Sequence, residues 1–235
     1  MSAQSEEMKR ELDEIFDAFP HIHTTDIPGI DLYMDQVTTF LQENLRGLSR
    51  DPDGDKFLTK TMINNYVKNK VLFPPVKKKY NRDHIMLLIV IYYMKSFLSI
   101  GDIREVIAPL MERYADASSD PKKDPKKDPR KDSKKDPGKD YRKSAGKDPG
   151  KDTADVRICD IYETIMTEVE KELPVMQEEM NRSIDLSEVV FSDVPDEDCP
   201  VLQRFALICK LSAEVYIRKL FIEKLLDASI ESGEL

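Results

Sequence analysis

A four-residue repeat divides the chain into segments that can fold and one that cannot. From Asp120 the units DPKK, DPKK, DPRK, DSKK, DPGK, DYRK, SAGK and DPGK follow one another. Proline in most units removes backbone donors, and almost no apolar side chain is present to offset the entropy of ordering. We therefore predict a flexible, disordered linker over residues 116–155. Weak contact of its lysines with nucleic-acid backbone is an alternative role, which the alternating aspartates disfavour.

Composition indicates a soluble helical protein outside this linker. The 235 residues include only 8 glycines, and β-branched residues rarely alternate, so we predict an all-α fold. The longest apolar run, Ile85 to Met94, is far shorter than the roughly 20 residues of a membrane span and predicts a core helix. The N-terminus is too polar for a signal peptide. Three widely spaced cysteines, Cys159, Cys199 and Cys209, indicate buried thiols in a reducing cytoplasm.

The sequence contains no motif of a known catalytic or metal site. A phosphate-binding glycine loop, an HExxH helix, a nucleophile elbow and zinc-type Cys/His spacing are all missing. We therefore expect no enzyme activity, no cofactor and no metal. His21 and His23 could ligate a metal from an extended segment, but no third ligand is near in sequence, which favours a solvent-facing connector. His84 is expected to cap or pack rather than to act as a base.

The most unusual stretch runs from Lys56 to Arg82. It carries eight basic and no acidic residues, in a chain whose formal net charge is -9. A cationic segment on an anionic protein indicates a surface that meets a polyanion. The alternative is a solvated cationic face around an ordinary core helix.

The pattern within this basic segment predicts a short helix with two different faces. Thr59 or Thr61 is a suitable N-cap, because a hydroxyl can accept from the free backbone N–H groups of the first turn. Apolar side chains between Met62 and Val67 recur at helical spacing and form the inward face. Asn64 and Asn65 fall on the outward face.

A basic arm is predicted to follow this helix. Pro74-Pro75 ends the helix, because proline lacks a backbone donor and disfavours a helical residue before it. The segment from Val76 to Tyr80 is then expected to be short, extended and basic. A helix with outward amides followed by a basic arm is typical of a helix-turn-helix with a wing. Asn can pair with adenine in the major groove, and Lys can neutralise phosphates.

Three segments resemble the MerR family of transcriptional regulators. Residues 63–75, INNYVKNKVLFPP, resemble its recognition helix; residues 80–85 resemble the end of its wing, and residues 98–107 a later segment. The combination of LYMDQV, LTKTMINNYVK, PPVKKKY and LSIGDI also resembles an uncharacterised bacterial YkrK-like family, a domain of unknown function. The resemblance covers about Asp31 to Leu110 and implies a winged helix-turn-helix core that binds double-stranded DNA.

This chain departs from the MerR pattern at three points. Lys70 stands where the family usually has Gly, and a loop over Ser49 to Asp55 precedes the recognition helix where the family typically has a tight turn. The cysteine cluster of the metal-sensing members is also missing. The basic pattern and the resemblance together assign one set of residues to DNA. These are Lys60, Thr61, Asn64, Asn65, Tyr66, Lys68, Lys77, Lys78, Lys79, Tyr80 and Arg82.

The remaining helices follow from apolar spacing and from proline and glycine punctuation. They are predicted over Ser5 to Phe19, Asp31 to Leu48, Arg82 to Phe97, Ser99 to Tyr114, Arg157 to Arg182 and Asp198 to Ala228, with an acidic connector over Ser183 to Pro200. The predicted organisation is an N-terminal helix and connector (1–30), a MerR-like domain (31–115), the linker (116–155) and a C-terminal helical region (156–235).

The last helix carries two apolar stripes. This pattern predicts burial between elements of one chain or across a dimer interface, and the MerR resemblance implies a homodimer through this helix. The function we predict is a cytoplasmic, DNA-binding transcriptional regulator. The alternative is a protein-interaction adaptor whose basic helix binds an acidic partner.

Overall fold

The computed structural model describes residues 2–50, 57–114, 156–191, 193–195 and 197–233. Most of these residues are helical, which confirms the all-α class in its coarse form. The helices are α1 (Ala3–Asp17), α2 (Met34–Leu45), α3 (Lys60–Lys68), α4 (Arg82–Met94), α5 (Ile100–Tyr114), α6 (Ile158–Ser187) and α7 (Cys199–Ser232), and the strands are β1 (Leu32–Tyr33) and β2 (Lys79–Tyr80). The predicted linker over residues 116–155 lies outside the described residues.

Two short strands join the segments that flank the basic helix. β1 pairs antiparallel with β2, so that Leu32 lies opposite Tyr80 and Tyr33 opposite Lys79. This pairing corrects the predicted start of the second helix at Asp31, because residues 32–33 are extended and α2 begins at Met34. α2 packs against both α3 and β2. We refer to the unit from β1 to α5 as the basic module.

Helix α4 is the centre of this module, as its nearly uniform apolar sequence predicted. Ile85, Leu88, Ile89 and Ile91 are fully buried, and they belong to the main hydrophobic cluster. Asn81 begins the helix, since its side-chain carbonyl accepts from the His84 backbone N–H at 3.2 Å. A helix buried on every side fixes the elements around it, so α4 sets the positions of α2, α3 and α5.

The C-terminal helices pack onto the basic module and onto α1. Tyr162 and Met166 of α6 and Leu226 of α7 join the main hydrophobic cluster, and the Tyr162 hydroxyl donates to the Ile22 carbonyl at 2.7 Å. A second cluster contains Leu12, Ile184 and Leu207, from α1, α6 and α7. Both ends of the chain are therefore held against one body.

Helix α6 continues further than its sequence suggested. The predicted acidic connector from Ser183 is wrong over its first turn, because α6 runs to Ser187. Ser183, Ile184 and Ser187 are buried, although their neighbours are acidic. Packing against α1 and α7 outweighs the local polar composition.

The described helices and cysteines bear on two further predictions. In the part of the chain that is described, no helix is both long enough and apolar enough to cross a membrane. The prediction of buried thiols is wrong, since Cys209 is exposed and Cys159 and Cys199 are half-buried. Cys209 lies on a part of α7 where its neighbours, residues 208 and 210, are exposed as well.

Candidate nucleic-acid interface

Helix α3 presents polar side chains outward, as predicted. The Thr59 hydroxyl accepts from the Met62 backbone N–H at 3.2 Å and begins the helix. Ile63 is fully buried, which fixes the rotation of the helix. Five predicted DNA-contacting side chains are exposed as a result: Lys60, Thr61, Asn64, Asn65 and Lys68. Their exposure is confirmed, and their contact with DNA stays a prediction.

The two asparagines are not equivalent. The Asn69 side chain donates to the Asn65 side-chain oxygen at 2.8 Å and to its backbone carbonyl at 2.8 Å. Asn64 has no side-chain hydrogen bond to any described residue. Bidentate recognition of adenine uses both the oxygen and the nitrogen of an amide. Both atoms of the Asn64 amide have no partner among the described residues, whereas Asn69 already occupies one acceptor position of the Asn65 oxygen.

Helix α3 ends in a left-handed residue that is normally glycine. The Val71 N–H donates to the Tyr66 carbonyl at 2.9 Å and the Lys70 N–H to the Val67 carbonyl at 3.2 Å. These two bonds form a Schellman motif, whose turning residue here is Lys70 with a φ of 61°. The substitution of Lys for the usual Gly therefore leaves the helix end intact, at a conformational cost of about 1 to 2 kcal/mol.

The basic arm after Pro75 is a tight turn, which corrects the predicted extended segment. The Lys79 N–H donates to the Val76 carbonyl at 3.0 Å. Lys77 and Lys78 between them have φ values of 52° and 63°. Positive φ at both central positions defines a type I′ turn, which normally uses Asn-Gly. The turn places both lysine side chains at an exposed tip.

Three lysines of the basic segment thus adopt a backbone conformation that lysine disfavours. Among the described residues, the only other non-glycine residue with positive φ is Phe191. Lys70, Lys77 and Lys78 are all exposed and form no ion pair with a described residue. Backbone strain of this kind concentrates at functional sites, where the side chain matters more than the local stability.

The first turn of α2 lies between α3 and this basic turn. Lys60 at the start of α3 pairs with Asp35, and the Lys79 ammonium lies 5.3 Å from the centre of the Tyr33 ring. Since Tyr33 and Asp35 are two residues apart, the N-terminus of α3 and the basic turn belong to one surface. Asp35 is an anion within that surface, and Lys60 offsets its charge.

Three predicted DNA contacts are corrected by the structure. Tyr66 and Tyr80 are only 6% and 3% exposed, because both pack into the main hydrophobic cluster, so neither can reach a duplex. Arg82 is turned inward, where its guanidinium donates to the Thr24 carbonyl. It joins the basic module to the connector instead of gripping phosphate.

A buried histidine supports the basic turn from inside. The His84 ring lies 3.9 Å from the Phe73 ring and 5.2 Å from the Tyr80 ring, measured between centroids. Its Nδ1 accepts from the Asn81 backbone N–H at 3.1 Å. Burial lowers the pKa of His84 to about 3, although the Phe73 and Pro74 carbonyls oppose the shift. The expected packing role of His84 is confirmed, and the ring is neutral at pH 7.

The connector is tied to α6 by contacts that sequence spacing could not reveal. His23 Nδ1 lies 2.9 Å from Glu163 and its Nε2 lies 2.8 Å from Glu170. His21 Nδ1 is also 2.8 Å from Glu170, and the Thr24 N–H donates to Glu163 at 2.8 Å. The prediction of a solvent-facing connector is confirmed for His21, which is exposed, and wrong for His23, which is half-buried. Both histidines have partners on α6, far along the chain.

This arrangement predicts a measurable pKa. The hydrogen bond to Glu163 raises the pKa of His23 above 6.5, its usual value, and burial opposes the shift. The resulting stability is fully present below pH 6.5 and is lost as pH rises through the higher pKa of the folded state. Glu163→Gln is expected to lower the pKa of His23, measured by NMR titration of the imidazole. Glu168→Gln is the matched control on the same helix, and an equal shift in both variants would contradict the assignment.

Comparison with known proteins adds a family match without a function. No curated protein and no solved structure shows significant similarity to this chain. Residues 22–126 match a family described as a domain of unknown function (DUF1836). The match covers fewer than half of the residues and includes the whole basic module, so this module is the part of the chain that is similar to that domain.

Proposed function

We propose that the chain is a DNA-binding transcriptional regulator, with the basic module acting as a winged helix-turn-helix of the MerR type. The observation that carries the proposal is the exposed Lys77-Lys78 tip, where positive charge is kept in a turn that disfavours lysine. Lysine adds no stability to such a turn, so what these two residues supply at the tip is positive charge. The proposal includes no catalytic activity and no cofactor.

In this proposal α2 and α3 form the helix-turn-helix, with α3 in the major groove. Asn64 and Asn65 read base edges. Thr61 and Lys68 contact base edges or the adjacent phosphates. The tip formed by Lys77 and Lys78, with the half-buried Lys79 beside it, neutralises phosphates along the flank of the site. Phosphate contacts position the protein, and contacts with base edges, chiefly those of the two asparagines, carry the sequence information.

Replacing the two asparagines tests whether α3 reads the bases while the basic turn contacts phosphates. Asn64→Ala with Asn65→Ala is expected to reduce the ratio of specific to non-specific DNA affinity by about tenfold or more, since a bidentate contact contributes about 1–3 kcal/mol. Affinity for non-specific duplex should change little. Fluorescence anisotropy with both duplexes at one stated salt concentration measures this ratio.

The matched control is Gln42→Ala, which removes an exposed amide from α2. It is expected to leave both affinities unchanged. Should the asparagine variant lose specific and non-specific binding equally, with its helicity intact, α3 would not be the base-reading element.

A protein-interaction adaptor is the second candidate. The short length of α3, nine residues, favours it, because a helix of this size reaches few base pairs. In this alternative the basic surface binds an acidic partner protein. Both candidates weaken with added salt, so sequence-selective DNA binding is the property that separates them.

A further inference from the structure

A groove of about 680 Å³ lies between α6 and α7, and we call it the α6–α7 groove. Small-molecule sites typically have volumes of roughly 300–1,000 Å³, with a largely apolar lining and a few polar groups that fix the ligand. The α6–α7 groove has both properties. Its apolar side chains are those of Met176, Met180, Leu186, Leu211 and Val215. None of the residues that line it belongs to the basic module.

The floor of the groove is apolar and suits an elongated ligand. Met180 and Leu211 are partly buried and pack against the small cluster of α1, α6 and α7. Met176, Leu186 and Val215 remain partly open to solvent. From Met176 to Leu186 the groove follows α6 for about 15 Å, and methionine side chains adapt to irregular apolar partners. An alkyl chain lying along this floor removes apolar surface from water, which favours its binding.

Positive charge is concentrated beside this apolar floor. The cationic side chains that line the groove are those of Arg182, Lys210 and Arg218. Helix α6 has eight acidic and only two basic residues, and Arg182 is one of the two. Glu179 and Glu214 are the acidic side chains of the lining. Cations therefore exceed anions in the groove, although the chain as a whole has a formal net charge of -9.

Lys210 is held in position by a buried hydroxyl. Its ammonium donates to the Ser183 hydroxyl at 2.8 Å, and Ser183, which is 7% exposed, donates in turn to the Glu179 carbonyl at 3.0 Å. The Glu214 carboxylate lies 4.0 Å from the ammonium, which is too far for a hydrogen bond. An ammonium group has three donors, so Lys210 is oriented by Ser183 and can still donate to a ligand.

The two arginines of the groove can also accept a ligand. Arg218 lies 4.0 Å from Glu179, again beyond hydrogen-bond distance. Arg182 is exposed and forms no ion pair with a described residue. Guanidinium groups bind carboxylates and phosphates through paired, charge-assisted hydrogen bonds. The cations of the groove therefore select the charge of the ligand, and its apolar floor selects the rest of the molecule.

We propose that the α6–α7 groove binds a single-chain amphiphile with an anionic head group, such as a fatty acid anion. The head group accepts from the Lys210 ammonium, and Arg182 and Arg218 add to the positive potential around it. The alkyl chain lies along the methionines and leucines of the floor. A neutral head group forms weaker hydrogen bonds with Lys210, and a cationic head group is repelled.

Isothermal titration calorimetry of the full chain, with ligands below their micelle concentrations, tests this proposal. Dodecanoate and dodecyl phosphate are titrated in parallel, and the tighter of the two identifies the head group. We expect saturable binding of one molecule per chain. Dodecanol has the same alkyl chain and a neutral head group. It is expected to bind at least about tenfold more weakly, because a charge-assisted hydrogen bond is lost.

A variant of the anchoring lysine tests the position of the head group. Lys210→Met keeps the apolar stem and removes the charge. It is expected to weaken binding of the tighter anion at least about tenfold and to leave dodecanol binding unchanged. Lys219→Met is the matched control, because Lys219 lies on the same helix, outside the groove, and pairs with Glu223 at 3.6 Å. It should bind the anion as tightly as the wild type.

A variant of the floor tests the alkyl chain. Val215→Glu places a charge on the exposed apolar wall and is expected to weaken binding of the anion and of dodecanol alike. Circular dichroism checks that each variant keeps its helicity. Absence of saturable binding of either anion would overturn the proposal. Equal affinity for anion and dodecanol, or a Lys210→Met variant that binds the anion like the wild type, would also contradict it.

A second copy of the chain is the other possible occupant of the groove. Light scattering that gives twice the chain mass of 27.1 kDa, together with no binding of either anion, would show that another copy fills the groove and would overturn the proposal. The proposal does not depend on DNA binding, because the groove lies outside the basic module. Its failure therefore leaves the function proposed above to its own experiments.

Discussion

Replacing Lys77 with Asn and Lys78 with Gly is expected to stabilise the fold and weaken DNA binding at the same time. Asn-Gly is the preferred pair for a type I′ turn, and each left-handed lysine costs about 1–2 kcal/mol. Asn still carries part of this cost and Gly has more backbone freedom in the unfolded chain, so the net gain should be about 1 to 2 kcal/mol in the free energy of unfolding. Two lost phosphate contacts should lower DNA affinity by about 10- to 100-fold and reduce the salt slope by about 2.

Urea denaturation and anisotropy titrations over a salt series measure these two effects. Lys70→Gly is a useful companion, because it relieves the same backbone strain at the end of α3 and removes one charge at a different position. It should also be stabilised by about 1 kcal/mol. A Lys77 and Lys78 variant that gains stability and binds DNA as tightly as the wild type would remove the reason for calling the turn a wing.

Lowering the pH from 7 to 5 is expected to destabilise the protein by about 2 kcal/mol through His84 alone. The pKa of His84 is about 3 in the folded protein, against its usual value of 6.5. Below pH 6.5 His84 is therefore protonated in the unfolded chain and neutral in the folded chain. The free energy of unfolding falls as pH falls. Protonation would also break the hydrogen bond that Nδ1 accepts from Asn81. Urea denaturation at pH 5, 6 and 7 measures how the free energy of unfolding changes with pH.

His84→Gln is the control for this acid effect, because it keeps a polar side chain at the position and cannot titrate. Its stability is expected to be lower at pH 7 and nearly independent of pH between 5 and 6.5. Other groups act outside this window: the raised pKa of His23 matters above pH 6.5, and the lowered pKa of Glu163 matters below 4.5. An equal slope in wild type and variant would show that the destabilising proton binds elsewhere.

Sequence periodicity predicted which faces of the helices are buried and which are exposed. The inward face of α3, the outward Asn64 and Asn65, and the uniformly buried α4 all follow from helical spacing. The helix caps could be predicted for the same reason, since the Thr59 hydroxyl bonds to a residue only three positions further along the chain. In each case the sequence signal lies within a few turns of the residue, although the apolar faces of α3 and α4 are covered by other elements.

The sequence was a poor guide wherever distant segments meet. No sequence signal near His23 predicts its contact with Glu163, and none near Arg82 predicts its hydrogen bond to the Thr24 carbonyl. The turn at Lys77 was missed because lysine is not a type I′ residue, so local preference argued for an extended arm. Tyr66 resembled a contact residue by its neighbours, and tertiary packing buried it.

Selection from fragmented genomic DNA by the purified full chain, at physiological salt, tests the central claim most directly. We expect enrichment of one sequence motif, arranged as an inverted repeat if the protein binds DNA as a homodimer. The Asn64 and Asn65 variant should lose this enrichment and the Gln42→Ala control should keep it. Recovery of fragments without any common sequence, or of none, would contradict the account and favour the adaptor.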